Sequence, residues 1–318
     1  MRVLAWRHRL EYLAFRLVVC VVQALSPRAC TLGARRLAWF MHRCLPRKWT
    51  RYAVARENLR TAFGSALSDQ AVDETIYEMW LHLFRLVAEI IHIPRRVHQT
   101  NVCDMIDFVG RPDMVRAFTC GRPMILVSAH FGNWELAGVV FGIFGFPLGV
   151  VARHLDNPYL HEWFRRFRRS TGHSLIPKNG GLNELLATFA AGHTVALLGD
   201  QDAGQRGVFV NYFGRPASTN RAIALIALEH QAILCVGYAR RLPGSADNPL
   251  GVRYELGQAA LIDPLETRTN DPVREITQQF TTALERVVRL APEQYFWVHR
   301  RWKSVPPTRE ARAKRRAG

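Results

Sequence analysis

Short apolar runs alternating with helical stretches dominate residues 123–290 and most constrain how this chain can fold. Runs with the length and composition of buried strands cover residues 124–127, 149–152, 174–176, 194–198 and 233–237. Helical patterns begin at Glu135 and cover 158–170, 182–191, 221–229 and 272–290. This succession predicts an α/β fold with a mostly parallel central sheet covered by helices on its faces.

The first 45 residues have a different character. Between Leu10 and Leu25 the apolar residues follow the i, i+3, i+4, i+7 pattern of an amphipathic helix. Glu11, Arg16 and Gln23 interrupt it, so a bilayer-spanning helix is the weaker interpretation. We expect a helix lying among lipid headgroups, with a surface helix packed on the protein's own core as the alternative. The predicted division is therefore a membrane-associating segment (1–45), a catalytic domain (46–304) and a basic tail (305–318).

The charge of the chain limits its partners. Forty-three Lys and Arg residues against 26 Asp and Glu give a formal net charge of +17. Residues 1–60 hold 13 of the basic residues and two acidic ones, Glu11 and Glu57. An anionic membrane, an acidic protein or nucleic acid would each fit this surplus. No zinc-finger spacing or RNA-binding signature is present, so no nucleic-acid partner is expected. Six cysteines without a CxxC pair favour a reducing, cytosol-facing location.

The candidate chemistry lies directly after the first strong strand. His130 follows that strand, at the sheet edge where reactive groups of open α/β folds collect. Glu135 comes five residues later, and Gly132 between them allows the chain to fold back. We predict that His130 is a general base for an acceptor hydroxyl. Glu135 is predicted to fix its tautomer and to stabilise the imidazolium.

Spacing alone does not carry this hypothesis. A chain with 12 histidines and 26 acidic residues contains about one His-x4-Asp/Glu arrangement by chance. Only His130 matches, and its position at a strand end gives the match its weight. A catalytically inactive membrane scaffold is the competing interpretation, against which the intact pair argues.

Four segments resemble the bacterial lipid A late acyltransferases, within the wider lysophospholipid acyltransferase group and its His-x4-Asp/Glu motif. They are residues 56–63, 130–135, 198–202 with Gly207 and 213–214, and 292–303. Together they span nearly the whole chain, and residues 292–303 are the most specific. Glu135 stands where the glycerolipid branch has Asp.

The resemblance implies an α/β acyltransferase fold of the glycerolipid acyltransferase kind, at the cytoplasmic face of the inner membrane, peripheral or singly anchored. It implies an acyl carrier protein or coenzyme A thioester as donor, a glycolipid hydroxyl as acceptor, and no metal or other cofactor. The mycobacterial phosphatidylinositol mannoside acyltransferases look similar as well, so another glycolipid or a phospholipid stays open as acceptor.

Four further residues are candidates for substrate binding. Arg153 directly follows a strand and is expected to bind phosphate or the oxyanion, with a solvated surface role equally open. Asp200 and Asp202 follow another strand and are expected to support the site or bind sugar hydroxyls, with loop capping or Mg²⁺ binding as alternatives. Arg300 is expected to border the site. His299 is not assigned as a second base, because it has no acidic partner at a useful spacing.

Overall fold

A seven-stranded sheet forms the centre of the computed structural model, which describes residues 2–243 and 251–307. The strands are β1 (Ile106–Val109), β2 (Met124–Ser128), β3 (Leu148–Ala152), β4 (Ser174–Pro177), β5 (Thr194–Leu198), β8 (Ile233–Leu242) and β9 (Arg253–Ile262). Their order is β1-β9-β8-β2-β5-β3-β4. Neighbours pair in parallel except β8 and β9, which are antiparallel. A separate hairpin joins β6 (Val208–Tyr212) to β7 (Arg215–Thr219).

Helices cover both faces of the sheet, as the alternating pattern predicted. They are α1 (Arg2–Ala24), α2 (Pro27–Trp39), α3 (Tyr52–Phe63), α4 (Asp69–Arg96), α5 (Arg111–Thr119), α6 (Trp134–Ile143), α7 (Pro158–Arg169), α8 (Leu182–Ala190), α9 (Ala222–Glu229) and α10 (Pro272–Leu290). Side chains of alternate β2 residues point to opposite faces of the sheet. Ile125 and Val127 join the core beneath α9 and α10, whereas Leu126 packs towards α5 and α6. A strand buried on both faces is therefore apolar throughout.

Helix α4 is the longest helix in the described part of the chain. Its N-cap is Ser68, whose hydroxyl accepts a hydrogen bond from Ala71 N at 3.1 Å. Pro94 lies inside the helix, which continues to Arg96. The extension is tolerated because a proline in the last turn removes only one backbone hydrogen bond, and Val97 N still donates to Ile93 O.

The N-terminal segment forms two helices against the α/β body. Helix α1 packs on α4 and α7, where Phe15 contacts Trp163 edge-to-face. Helix α2 packs its Ala34 and Ala38 against Leu81 of α4. The opposite side of α1 is apolar and uncovered, with Leu10, Leu13 and Leu17 each more than 60% exposed. Within the described residues, no helix combines the length and apolar character needed to span a bilayer. The tail predicted at 305–318 lies outside the described residues beyond position 307.

Candidate active site

The turn between β2 and α6 holds His130 in a tightly fixed backbone. Gly132 has a φ of +57°, and a Cβ at that position would lie 1.8 Å from Ala239 O, so only glycine fits. Asn133 is fully buried, and its side-chain oxygen caps α6 by accepting from Leu136 N at 2.9 Å. Further, Phe296 N donates to His130 O at 3.0 Å. We refer to residues 130–133 as the catalytic loop.

The carboxylate that contacts His130 belongs to Asp200. Strand β5 lies beside β2, and Gly199 N donates to Ser128 O at 2.8 Å, which aligns the two strand ends. Asp200 Oδ1 is 2.9 Å from His130 Nδ1, and Oδ2 accepts from His130 N at 2.9 Å. Because an ionised carboxylate only accepts, the proton lies on Nδ1 and the lone pair of the neutral ring on Nε2.

The buried carboxylate tunes the imidazole. Burial of His130 opposes its charged form, but the charge and hydrogen bond of Asp200 outweigh that effect, so the pKa of His130 is raised. Burial likewise disfavours ionised Asp200, yet its hydrogen bonds with His130 and the imidazolium charge lower its pKa to about 2. Asp200 is therefore ionised at neutral pH and favours a proton on the ring.

Glu135 does not make the contact that its spacing predicted. Its carboxylate binds Arg168 of α7, with Oε2 3.2 Å from Nε and Oε1 2.5 Å from Nη2. The reason is geometric. Glu135 lies in the first turn of α6, which directs its side chain towards α7, while Asp200 already occupies the ring nitrogen. Glu135 and His130 nevertheless line the same cavity.

That cavity has a volume of about 820 Å³, within the usual range of small-molecule sites. Its polar part includes His130, Glu135, Arg168, Lys178 and Gln201. Most of the remaining wall is apolar, and it includes Leu126, Val139, Phe141, Leu148, Val150, Phe167, Ile176, Leu185, Leu198 and Ile226. A reactive histidine thus adjoins an apolar space able to hold an alkyl chain.

The other predicted residues have different surroundings. Arg153 lines the cavity, but its side chain is largely exposed and pairs with Asp156 at 3.1 Å. Asp202 also lines the cavity, and its carboxylate accepts from Gly204 N at 3.0 Å and from Ser304 Oγ at 3.0 Å, which is the loop-capping alternative. Arg300 is exposed and is absent from the described lining residues. Among residues 2–243 and 251–307, no group of three or more His, Cys, Asp or Glu is placed to hold a metal ion.

His299, which is not assigned as a second base from the sequence, lies beside His130. The ring centroid of His299 lies 5.0 Å from that of His130, and its Nε2 is 3.3 Å from Gln201 Nε2. Burial, together with the nearby His130 charge, lowers the pKa of His299 to about 4, so it is neutral at physiological pH. Arg168 lies in α7, and its ion pair with Glu135 was not predicted from the sequence. One sequence signal could have identified Asp200 as the partner of His130. Asp200 follows a strand, and the carboxyl ends of neighbouring parallel strands meet at one edge of a sheet, the edge at which β2 also ends.

Known proteins with similar sequences are acyltransferases. The family model for bacterial lipid A biosynthesis acyltransferases matches residues 4–304. The lipid A biosynthesis palmitoleoyltransferase of Escherichia coli K12 is 27% identical over 289 residues, covering 90% of this chain and 88% of that protein. A phosphatidylinositol mannoside acyltransferase of Mycolicibacterium smegmatis is 27% identical, covering 56% of this chain and 60% of its own length.

Two further likenesses were found. The lipid A biosynthesis lauroyltransferase of Escherichia coli K12 is 28% identical, covering 58% of each chain. A solved 1-acyl-sn-glycerophosphate acyltransferase from Thermotoga maritima aligns with 88% of this chain and 97% of its own, at 11% identity and a TM-score of 0.38.

Proposed function

Because this chain belongs to the family of bacterial lipid A biosynthesis acyltransferases, we propose that it transfers a fatty acyl group from a thioester donor to a hydroxyl of a lipid A-type glycolipid. The observation that carries the proposal is the contact between His130 and buried Asp200 beside a largely apolar cavity of about 820 Å³. The cavity would hold the acyl chain, and the histidine would act on the acceptor hydroxyl.

The proposed reaction needs one proton carrier. Nε2 of neutral His130 takes the proton of the acceptor hydroxyl as its oxygen attacks the thioester carbonyl. An ester C–O bond forms, the C–S bond breaks, and the imidazolium returns the proton to the leaving sulfur. Asp200 holds the reactive tautomer and stabilises the imidazolium, as the carboxylate of a catalytic triad does. The acceptor oxygen is itself the nucleophile, so the scheme uses no covalent acyl-enzyme.

We assign Glu135 a different part in the same site. Its ion pair with Arg168 holds a guanidinium at the cavity wall, where side-chain exposure is only 17% and 11% for the two partners. A planar guanidinium is well suited to carbonyl or phosphate oxygens. Arg153 and Lys178 add positive charge at the lining. Phosphate groups occur both in carrier-protein thioesters and in coenzyme A, so this charge supports either donor.

A mannosylated phosphoinositide is the second candidate acceptor. The supporting observation is the similarity to the Mycolicibacterium smegmatis phosphatidylinositol mannoside acyltransferase. Its sequence identity to this chain is 27%, as for the palmitoleoyltransferase, but over fewer residues. A glycerophospholipid acceptor is a further alternative within the same chemistry.

We also propose that the protein works at the cytoplasmic face of the inner membrane. The uncovered apolar side of α1 supports this, as do Leu32, Trp39 and Phe40 of the following segment, each about half exposed or more. Arg28, Arg35 and Arg36 of α2 are also exposed and would attract anionic lipid.

Purified protein supplied with acyl carrier protein or coenzyme A thioesters and candidate acceptors tests the proposal, with mass spectrometry of the lipids. We expect a glycolipid heavier by one fatty acyl group, and no such product with His130→Ala. Full transfer by His130→Ala would refute the proposed base. Acylation of the phosphoinositide mannoside alone would favour the second acceptor.

A further inference from the structure

A buried ion pair lies behind the catalytic loop, outside the cavity. Glu89 of α4 pairs with Arg241 of β8, and both side chains are at most 12% exposed. The same carboxylate accepts from the hydroxyl of Tyr254 and from Asn133 Nδ2, the latter at 3.0 Å. Neither Glu89 nor Arg241 is among the described lining residues. The pair contacts the catalytic loop directly at Asn133.

A second residue of α4 holds the next position of the loop. His82 Nε2 is 3.1 Å from Gly132 O, which can only accept, so Nε2 carries the proton. Burial lowers the pKa of His82 to about 3, and the ring is neutral at physiological pH. Its Nδ1 can then accept from Arg241 Nε at 3.5 Å. His82 and Glu89 thus share Arg241 and contact two adjacent residues of the loop.

Arg241 also fixes the loop from the side of the C-terminal segment. The side chain of Gln294 accepts from Arg241 N at 2.8 Å and donates to Arg241 O at 3.0 Å. The backbone oxygen of Gln294 accepts a hydrogen bond from Gly132 N at 3.0 Å. The loop is accordingly held by α4, β8 and residue 294 together.

We propose that Glu89 and His82 are positioning residues that hold the catalytic loop so that His130 keeps its contact with Asp200. The inference rests on the proposed role of His130 as base. Stability alone gives a poor account of the network, because apolar replacements of buried ion pairs are often as stable or more so. His130 makes two 2.9 Å contacts to Asp200, and the network would keep it in that position. This matters for the proposed reaction because a displacement of about 1 Å at a catalytic group can lower the rate about 100-fold.

The first test is Glu89→Gln, which keeps the shape of the side chain and removes its charge. We expect kcat to fall on the order of 10- to 100-fold with KM little changed, because the loop moves and the cavity does not. Asp263→Asn is the matched control. It breaks the ion pair with Arg122, which lies before β2 at the opposite end of the sheet from the loop. This control should retain the activity of the parent protein.

A second variant and a second measurement separate positioning from folding and from the proposed function. Asn133→Ser keeps a residue suited to capping α6 but loses the amide that donates to Glu89. Hydrogen exchange of the peptide covering residues 129–134 should be faster in both variants, whether or not transfer is detected. Exchange unchanged from the parent in a folded Glu89→Gln protein would overturn the inference. Absence of transfer by the parent protein would instead refute the proposed function.

Discussion

His130 lies beside two carboxylates that have different partners. Asp200 is buried and hydrogen-bonds both to the ring and to the backbone of His130, whereas Glu135 forms an ion pair with Arg168. A carboxylate already satisfied by a guanidinium acts on a nearby imidazole only through its field. One that contacts Nδ1 also decides which nitrogen carries the proton. We therefore expect the two acids to have separable effects on the proposed reaction.

Replacing Asp200 by Asn should remove the carboxylate without removing the side chain. An amide can present its NH₂ to Nδ1 and favour the unreactive tautomer, so we expect a loss in kcat of about 10²- to 10⁴-fold. Steady-state transfer assays measure this. Asp107→Asn on β1 breaks an exposed ion pair with Arg253 of β9, and this control should leave the rate unchanged. Near-normal turnover by Asp200→Asn would contradict the assigned role.

The pH dependence should distinguish the two carboxylates. A general base must be neutral, so kcat/KM should fall with decreasing pH through the pKa of His130, which is raised above its ordinary value of 6.5. Asp200→Asn should move this limb to lower pH, and Glu135→Gln should move it less. Equal shifts in the two variants would mean that Glu135 acts on the ring as strongly as Asp200.

The shifted pKa values of His130 and Asp200 also make the stability of the folded protein depend on pH. His130 has a raised pKa, so its contribution is complete below pH 6.5 and is lost as the pH rises through the folded-state pKa. Asp200 has a pKa lowered to about 2, so its contribution is present above its ordinary 3.8 and is lost as the pH falls towards 2.

At the level of elements, apolar runs identified the central strands because β2, β3 and β5 are buried and short. Periodicity does not give the order of strands, so the sequence could not predict that Asp200, expected to support the site or bind sugar hydroxyls, lies at the end of the strand next to β2 and contacts His130. The antiparallel pairing of β9 and the β6–β7 hairpin were not predicted either. Both depend on long-range pairing that a local pattern does not encode.

The turn from β2 to α6 offers a sharp test of the fold around the site. Gly132→Ala would place a methyl group against Ala239 O at a positive φ, so we expect destabilisation of about 2–4 kcal/mol together with lost activity. Gly145→Ala is the matched control, because Gly145 has a φ of +82° but no atom within 4 Å of the added Cβ. Denaturant unfolding should show a clearly smaller loss for the control. Equal losses would mean that the close contact with Ala239 is unimportant.

For the whole molecule, the N-terminal helices present a side that is both apolar and basic. On α1, Tyr12 and Val19 face the protein, and Leu13 and Leu17 point away from it. Such a side is typical of helices that insert shallowly into a membrane surface and bind anionic lipid, as proposed for this protein.

Changing Leu13 and Leu17 together to Glu should weaken flotation with vesicles that contain anionic phospholipid. The reason is that charged groups would replace the inserted apolar surface and repel the lipid. Leu290→Glu, at an exposed leucine at the end of α10, is the control. Binding of the double variant equal to that of the parent protein would argue against docking through α1.

Helix α4 contacts α2 through Leu81 and contacts the catalytic loop through His82 and Glu89, which share a face about 90° around the helix from Leu81. One helix therefore connects α2 directly to the catalytic loop. A protein resting on a bilayer through α1 and α2 would thus hold its imidazole at a set height above the lipid phosphates. Among several hydroxyls of one acceptor, the enzyme would select the one that reaches this height. Its regioselectivity would then depend on how the protein is positioned on the membrane as well as on the shape of its cavity.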